Sequence, residues 1–215
     1  MLKIILVRHG QTEWSARGTH GGHFCGRIDI KLNATGIVQA QSIAEALKPL
    51  DIAAVYTSPL NRSLNTAIVI AQTHSLKAKP LAALLDINYG QWSGRSAKEV
   101  IAQWPDLHRQ WIVSPQEVQM PGGESLADVR RRIEETLDWL WEQHDGEIVV
   151  IVGHEAINKV MLCYVIGLDN GGYWRLRQDT GCINRIDYDR VSFCLLTMNE
   201  VCHLLAQPSD LNELA

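Results

Sequence analysis

The chain reads as an α/β fold: a three-layer sandwich with a mostly parallel central sheet, helices on both faces and an antiparallel edge hairpin. Three features predict it. Short apolar runs rich in β-branched residues recur at 4–7, 53–57 and 148–152, as strands buried on both faces do. Segments of helical periodicity lie between these runs. Near the end, two strand-like stretches flank Asp189-Arg190, the pattern of a hairpin at a sheet edge.

The elements follow in order. Ile4 to Val7 is the first buried strand. From Gly36 to Leu47, Ile37, Ala40, Ile43, Ala44 and Leu47 share one helical face, and Pro49 lies just past the end. Ala53 to Thr57 is the second strand; Ser58-Pro59 turns the chain, and Leu60 to Gln72 is helical. Pro80 to Leu85 leads into the stretch Gly90-Gln91-Trp92-Ser93-Gly94. Helices follow around Ala97 to Trp104 and after Pro105. Pro121-Gly122-Gly123 is a loop. Ser125 is an N-cap with Asp128 at its capping-box position. The helix it starts carries Leu126, Val129, Ile133, Leu137 and Leu140, and Asp145-Gly146 ends it. Ile148 to Val152 is the third strand, followed by a helix through Lys159 to Ile166. Cys182 to Tyr188 and Ser192 to Met198 form the hairpin.

Length and composition bound the rest. The chain has 215 residues, 46% of them hydrophobic, which suits one domain over 1–215 with a cap-like helical segment at about 90–125. Lys plus Arg is 20 against 24 Asp plus Glu, a net charge of -4. Such a balance argues against a broad nucleic-acid surface but leaves room for one local anion pocket. No apolar window reaches the eighteen residues of a membrane span, and the opening run is too short for a signal peptide, so the reading is cytoplasmic. The five cysteines are odd in number and form no C-x-x-C pair, which fits reduced, mostly buried thiols. The late hairpin offers an edge for a homodimer.

The chemistry gathers where strands end. Lys3-Ile4-Ile5-Leu6-Val7 runs into Arg8-His9-Gly10, and Ile148-Val149-Val150-Ile151-Val152 runs into Gly153-His154-Glu155. In open α/β sheets, ligands bind beyond the carboxyl ends of strands. Two histidines delivered there by neighbouring strands can face each other across one pocket, and Arg62 follows a third strand end. Clustered cations need an anion to offset them, and guanidinium groups match a phosphoryl group.

These residues carry a resemblance. Leu6-Val7-Arg8-His9-Gly10-Gln11-Thr12-Glu13-Trp14 is similar to the signature of the histidine phosphatase superfamily, in its phosphoglycerate-mutase-like branch. Thr57-Ser58-Pro59-Leu60-Asn61-Arg62 with Thr66-Ala67, Asp86-Ile87-Asn88-Tyr89-Gly90-Gln91-Trp92-Ser93-Gly94, Pro121-Gly122-Gly123-Glu124-Ser125 and Val152-Gly153-His154 resemble its further motifs, in the same order. The resemblance implies that His9 attacks phosphorus to form a phosphohistidine. Arg8, Arg62 and His154 would surround the transferring group. A carboxylic acid would protonate the leaving alcohol. Fixed cations do the work of a metal, so neither metal nor cofactor is called for.

The sequence departs from the family pattern in three places. The acid is commonly glutamate, whereas Asp86 stands here. Glu155, directly after His154, is a rival acid, as in the acid-phosphatase branch; its alternative role is as partner of a nearby cation. Ser15 stands where the family has an asparagine that binds phosphate, and keeps one hydroxyl donor. In the Gly-rich stretch 18–26, His20, His23 and Cys25 suggest a metal, but a loop at the pocket rim is the favoured reading. Trp92, Trp104 and Trp111 read as packing of the cap, with a substrate-selecting lid as the alternative. Arg130-Arg131-Arg132 reads as a solvated face, and Trp174-Arg175-Leu176-Arg177 as approaching the rim.

The expected function is a metal-independent phosphomonoesterase acting on a small phosphorylated metabolite. A cofactor-dependent phosphoglycerate mutase is the alternative, although mutases usually carry a longer cap insertion. A non-catalytic binding protein on the same scaffold would be expected to lack a core group, and His9, His154, Arg8 and Arg62 are all present.

Overall fold

The computed structural model describes residues 1–15 and 22–204. His20 and the part of the Gly-rich stretch up to residue 21 lie outside the described residues. In chain order the elements are β1 (Leu2–Arg8), α1 (Ala34–Leu47), β2 (Ile52–Thr57), α2 (Asn61–Thr73), β3 (Ala78–Pro80), α3 (Ala97–Gln103), α4 (Pro105–Val113), α5 (Leu126–His144), β4 (Ile148–Gly153), α6 (Glu155–Val165), β5 (Ile183–Tyr188) and β6 (Phe193–Glu200).

The sheet order is β3-β2-β4-β1-β5-β6. The pairs β3–β2, β2–β4 and β4–β1 are parallel, while β1–β5 and β5–β6 are antiparallel. The mixed sheet with its edge hairpin is thus the one the sequence predicts. The three-residue β3 was not legible, because Ala78-Lys79-Pro80 carries no strand pattern of its own.

Two apolar clusters explain why the sheet is buried on both faces. Leu2, Ile4 and Leu6 of β1 face one cluster with Val149 and Ile151 of β4, packed on α5 and α6. Ile5 and Val7 face the other with Val150 and Val152, packed on α1 and α2. Alternation within a continuous apolar run therefore feeds two cores. On α1, the buried face is Gly36, Ala40, Ile43, Ala44 and Leu47. Ile37, expected on that face, is half exposed, because Gly36 takes the close contact instead. A side chain at Gly36 would collide with the Gln11 backbone, and one at Gly10 with Gly36, so the chain after β1 presses directly on α1.

α5 starts with the expected capping box: Ser125 Oγ accepts from Asp128 N at 3.1 Å, and the Asp128 carboxylate accepts from Ser125 N at 3.0 Å. Its apolar stripe is wholly buried. The basic run at its start is not uniformly solvated. Arg132 is largely buried, bonded to the Ala83 carbonyl and to Glu124. All five cysteines are free, but only Cys163 and Cys182 are buried; Cys194 and Cys202 are exposed on and after the edge strand. Among the described residues no helix is long and apolar enough to cross a membrane.

Candidate active site

Register builds the site. β1 and β4 run parallel with Arg8 opposite Gly153, so His9 and His154 leave the sheet at the same level. Helix α1 follows β1 on one face and α6 follows β4 on the other, which makes this gap a topological switch point. The two imidazole rings lie 5.2 Å apart, centre to centre, at 63°. Arg62, in the first turn of α2, reaches between them.

Arg62 organises the site. Its Nε donates toward His9 Nε2 at 3.3 Å and His154 Nδ1 at 3.2 Å. Nη2 donates to Asp86 Oδ2 at 3.0 Å and to the Gly26 carbonyl at 2.6 Å, and Nη1 to the Ile28 carbonyl at 2.8 Å. This fork is nearly inaccessible to solvent, which keeps its charge strong and its geometry fixed.

The tautomers follow from the partners. His9 Nδ1 lies 2.7 Å from the Gly10 carbonyl, which can only accept, so Nδ1 carries the proton and Nε2 keeps its lone pair. His154 Nδ1 accepts from Arg62, so its proton sits on Nε2, 3.5 Å from Ser63 Oγ, which itself donates to the Gly153 carbonyl. Burial, reinforced by Arg62, holds both imidazoles well below their ordinary range. Both are therefore neutral at pH 7. An uncharged His9 Nε2 aimed into the site is a competent nucleophile.

Arg8 is held by the Gln178 carbonyl and by Glu155, whose Oε2 lies 3.0 Å from Nη2. Its buried Nε has no hydrogen-bond partner among the described residues. A buried unpaired donor is costly, and an anion oxygen in the site would satisfy it.

The two carboxylates differ in state. Burial raises Asp86 above the ordinary carboxylate range, and Arg62 only partly counters it. Asp86 Oδ2 lies 3.8 Å from His154 Nδ1, within the site. Burial also acts on Glu155, but Arg8 and Lys159 outweigh it and leave the group below its usual range. Both Glu155 oxygens are engaged, Oε2 by Arg8 and Oε1 by Lys159 Nζ at 2.8 Å. Compared with an ordinary carboxyl group, Asp86 thus holds its proton more tightly and Glu155 less tightly.

Ser15 lines the cavity, but its hydroxyl is engaged locally: it accepts from Thr12 N at 2.8 Å and lies 3.2 Å from the Thr12 carbonyl. Cys25 also lines the cavity, and burial pushes its thiol up to about 11, far from a thiolate. Among the described residues no three His, Cys, Asp or Glu side chains gather as a metal site.

The acid-bearing segment is clamped by the loop before α5. Glu124 Oε2 accepts from Asn88 N at 2.8 Å, Glu124 N donates to the Asn88 carbonyl at 2.8 Å, and Gln91 N donates to the Pro121 carbonyl at 2.8 Å. Gly90, at φ +53°, sits where a side chain would meet the Pro121 carbonyl. Arg27 adds a bond to the Asp86 carbonyl and one to Glu124.

Together these groups form the base of a cavity of about 800 Å³. Helix α3 contributes Ile101, and α4 contributes His108, Trp111 and Ile112. Trp111 packs on Tyr173 and Trp174, so it is both core and cavity wall. Trp174, Arg175, Leu176 and Arg177 line the rim. Sequence reasoning missed Lys159, Gln178 and Tyr173. Only the i, i+4 spacing of Glu155 and Lys159 hinted at one of them.

The comparisons agree with this geometry. A family model described as Histidine phosphatase superfamily (branch 1) matches residues 4–201. Phosphoserine phosphatase 1 of Hydrogenobacter thermophilus is 32% identical over 204 residues, 95% of each chain. A probable phosphoglycerate mutase, GpmB, of Yersinia enterocolitica is 30% identical over 188 residues, covering 87% of this chain and 86% of that one. The crystal structure of a phosphoserine phosphatase from Entamoeba histolytica in complex with 3-phosphoglyceric acid superposes with a TM-score of 0.83. It is 27% identical, and the match covers 95% of this chain and all of that one.

Proposed function

Because this chain belongs to the histidine phosphatase superfamily, branch 1, we propose that it is a phosphomonoesterase that cleaves a small phosphorylated metabolite through a phosphohistidine. The observation that carries the reading is the Arg62 fork, which joins His9, His154 and Asp86 around one point.

In the first step, His9 Nε2 attacks phosphorus as the ester P–O bond breaks. Protonated Asp86 gives its proton to the leaving oxygen. Arg8 and Arg62 bind the phosphoryl oxygens and stabilise their charge in a water-poor site. The dianion also favours a proton on His154, which then becomes a further donor. In the second step, Asp86 takes a proton from water, which attacks phosphorus; the P–N bond breaks and inorganic phosphate leaves with His9 neutral again. Glu155 serves as a partner of Arg8 rather than as the acid. Ser15 contributes at most one hydrogen bond.

Residues 1–215 act as one catalytic domain, with about 90–125 as its cap. We assign the enzyme to the cytoplasm because its cysteines are free. We assign the β6 edge as the contact of a homodimer, which sedimentation would test.

The test is phosphate release from 4-nitrophenyl phosphate with EDTA present. Turnover without metal is expected, and His9→Ala should lower it at least a thousandfold while the circular dichroism spectrum stays unchanged. No hydrolysis of any ester by the unmodified protein would overturn the reading. The mutase alternative has a 30%-identical relative behind it. It predicts that isomerisation of 3-phosphoglycerate, primed by 2,3-bisphosphoglycerate, outpaces hydrolysis; the phosphatase reading predicts the reverse.

A further inference from the structure

Arg8 depends on the irregular stretch 176–182 that leads into β5. The Gln178 carbonyl accepts from its guanidinium. Gly181 N donates to the Arg8 and His9 carbonyls at 3.2 and 3.1 Å, and Arg8 N donates to the Cys182 carbonyl at 3.1 Å. A guanidinium sits where its acceptors hold it, and small misplacements around a reacting group are costly. Whatever fixes Gln178 therefore fixes Arg8.

Gln178 is fixed from the sheet edge. Its side chain and that of Asn184 on β5 are both buried and form a reciprocal amide pair. Gln178 Nε2 donates to Asn184 Oδ1 at 2.7 Å, and Asn184 Nδ2 donates to Gln178 Oε1 at 2.9 Å. Asn199 of β6 closes the arrangement. Its N–H donates to Asn184 Oδ1 at 2.8 Å. Its side chain accepts from Asp179 N at 2.7 Å and donates from Nδ2 to Asp179 Oδ2 at 2.8 Å. One residue of the edge strand thus holds both the amide partner of Gln178 and the residue that follows Gln178.

The backbone explains why an asparagine stands there. Ile183 pairs with Glu200 and Arg185 with Thr197, so β6 carries one residue more than β5 between the two pairs, a β-bulge. Asn199 lies in this bulge at φ +53°. Asparagine enters that left-handed region more readily than most residues with a side chain. Glycine would take the same bend but bring no amide. Bulges beside active sites often re-aim a side chain. Asn199 is not among the described residues that line the cavity, so its reach to Arg8 is indirect.

We propose that Asn199 is a positioning residue for phosphoryl binding. Through Asp179 and the Gln178–Asn184 pair it holds the carbonyl that aims Arg8. The inference rests on the phosphatase reading for the role of Arg8.

The test uses inorganic phosphate as the probe, bound in a calorimeter and as a competitive inhibitor of 4-nitrophenyl phosphate hydrolysis. Asn199→Asp keeps the size of the side chain and its tolerance of the bend, but sets a second carboxylate against Asp179. The dissociation constant of phosphate should rise about tenfold, at a temperature where circular dichroism shows the variant folded. Adding Asp179→Asn supplies a donor again and should restore most of the affinity. In Arg8→Lys protein, which lacks the guanidinium fork, Asn199→Asp should add less than about a twofold loss, because the two changes act on one contact. If Asn199→Asp does not fold, Asn199→Gly keeps the bend without the amide and should show the same loss. A folded variant that melts earlier yet binds phosphate as tightly as the unmodified protein would mark a hairpin contact only and overturn the proposal. So would a full tenfold loss that persists on Arg8→Lys protein. An unmodified protein that neither hydrolyses 4-nitrophenyl phosphate nor binds phosphate would sink the phosphatase reading and this inference with it, whereas unchanged phosphate binding by the variant sinks this inference alone.

Discussion

At the scale of residues, the site turns on which carboxylate holds a proton. Asp86 is buried and Glu155 partly buried, each beside an arginine, yet their proton affinities shift in opposite directions. Asp86 meets Arg62 with one oxygen and its own segment's Ile87 N with the other. Glu155 meets two full cations. A general acid is worth about 10²–10⁴ in rate. Asp86→Asn is therefore expected to slow hydrolysis of an alkyl phosphate by about two to four orders of magnitude and that of 4-nitrophenyl phosphate far less. A nitrophenolate leaves without a proton. Glu155→Gln should lower both substrates alike, by about tenfold, through a less well-held Arg8. Steady-state kinetics on the two leaving groups separates the roles. If Glu155→Gln shows the leaving-group dependence and Asp86→Asn does not, the assignment is reversed. The pH profile gives a second check. Because Asp86 is raised, kcat/KM should fall with rising pH through a limb above the ordinary carboxylate range, and Asp86→Asn should lack that limb.

At the scale of elements, the loop before α5 does more than connect. Glu124 binds the backbone of the Asp86 segment and also reaches Arg27 and Arg132. Glu124→Ala leaves the partly buried Arg132 guanidinium without its carboxylate and releases the exposed Arg27, which costs about 2 kcal/mol. It also loosens Asp86. Urea unfolding should show the loss, and kcat on alkyl phosphates should drop at least tenfold. A variant that unfolds earlier but keeps full kcat would separate the clamp from catalysis. By contrast, Ser125→Ala removes only the cap of α5. About 1 kcal/mol of stability should go, with kcat nearly unchanged.

At the scale of the whole molecule, two neutral imidazoles are built into the fold. Unfolded, each takes up a proton below about pH 6.5; folded, each resists until a lower pH. The unfolded chain then binds more protons, so stability rises with pH across that window and is lost as pH falls from about 6.5. The slope is at most about 1.4 kcal/mol per pH unit for each histidine. Asp86 has the opposite sign, since its raised folded value makes the native state gain stability as pH falls. Its window begins near its folded value and offsets the histidines only at the acid end. Urea midpoints between pH 7.5 and 5 should therefore decline for the unmodified protein and decline less for His154→Gln. Parallel curves would refute the buried neutral pair.

Much of this protein was legible locally. Strand runs at 4–7, 53–57 and 148–152, the α5 stripe with its cap and the edge hairpin all follow from patterns within a few residues. So does the delivery of Arg8, His9, Arg62 and His154 to strand ends. Tertiary structure decided what depends on distant partners. It put Arg62 between two imidazoles from strands 145 residues apart in sequence by a register that no single segment specifies. It buried Arg132 inside a basic run that looks solvated, gave Ile37 to solvent and Gly36 to the contact, and set Lys159 in the cavity wall. It also divided the two carboxylates, since a proton's preference follows from the cations and solvent around it, and those arrive from the other ends of the chain.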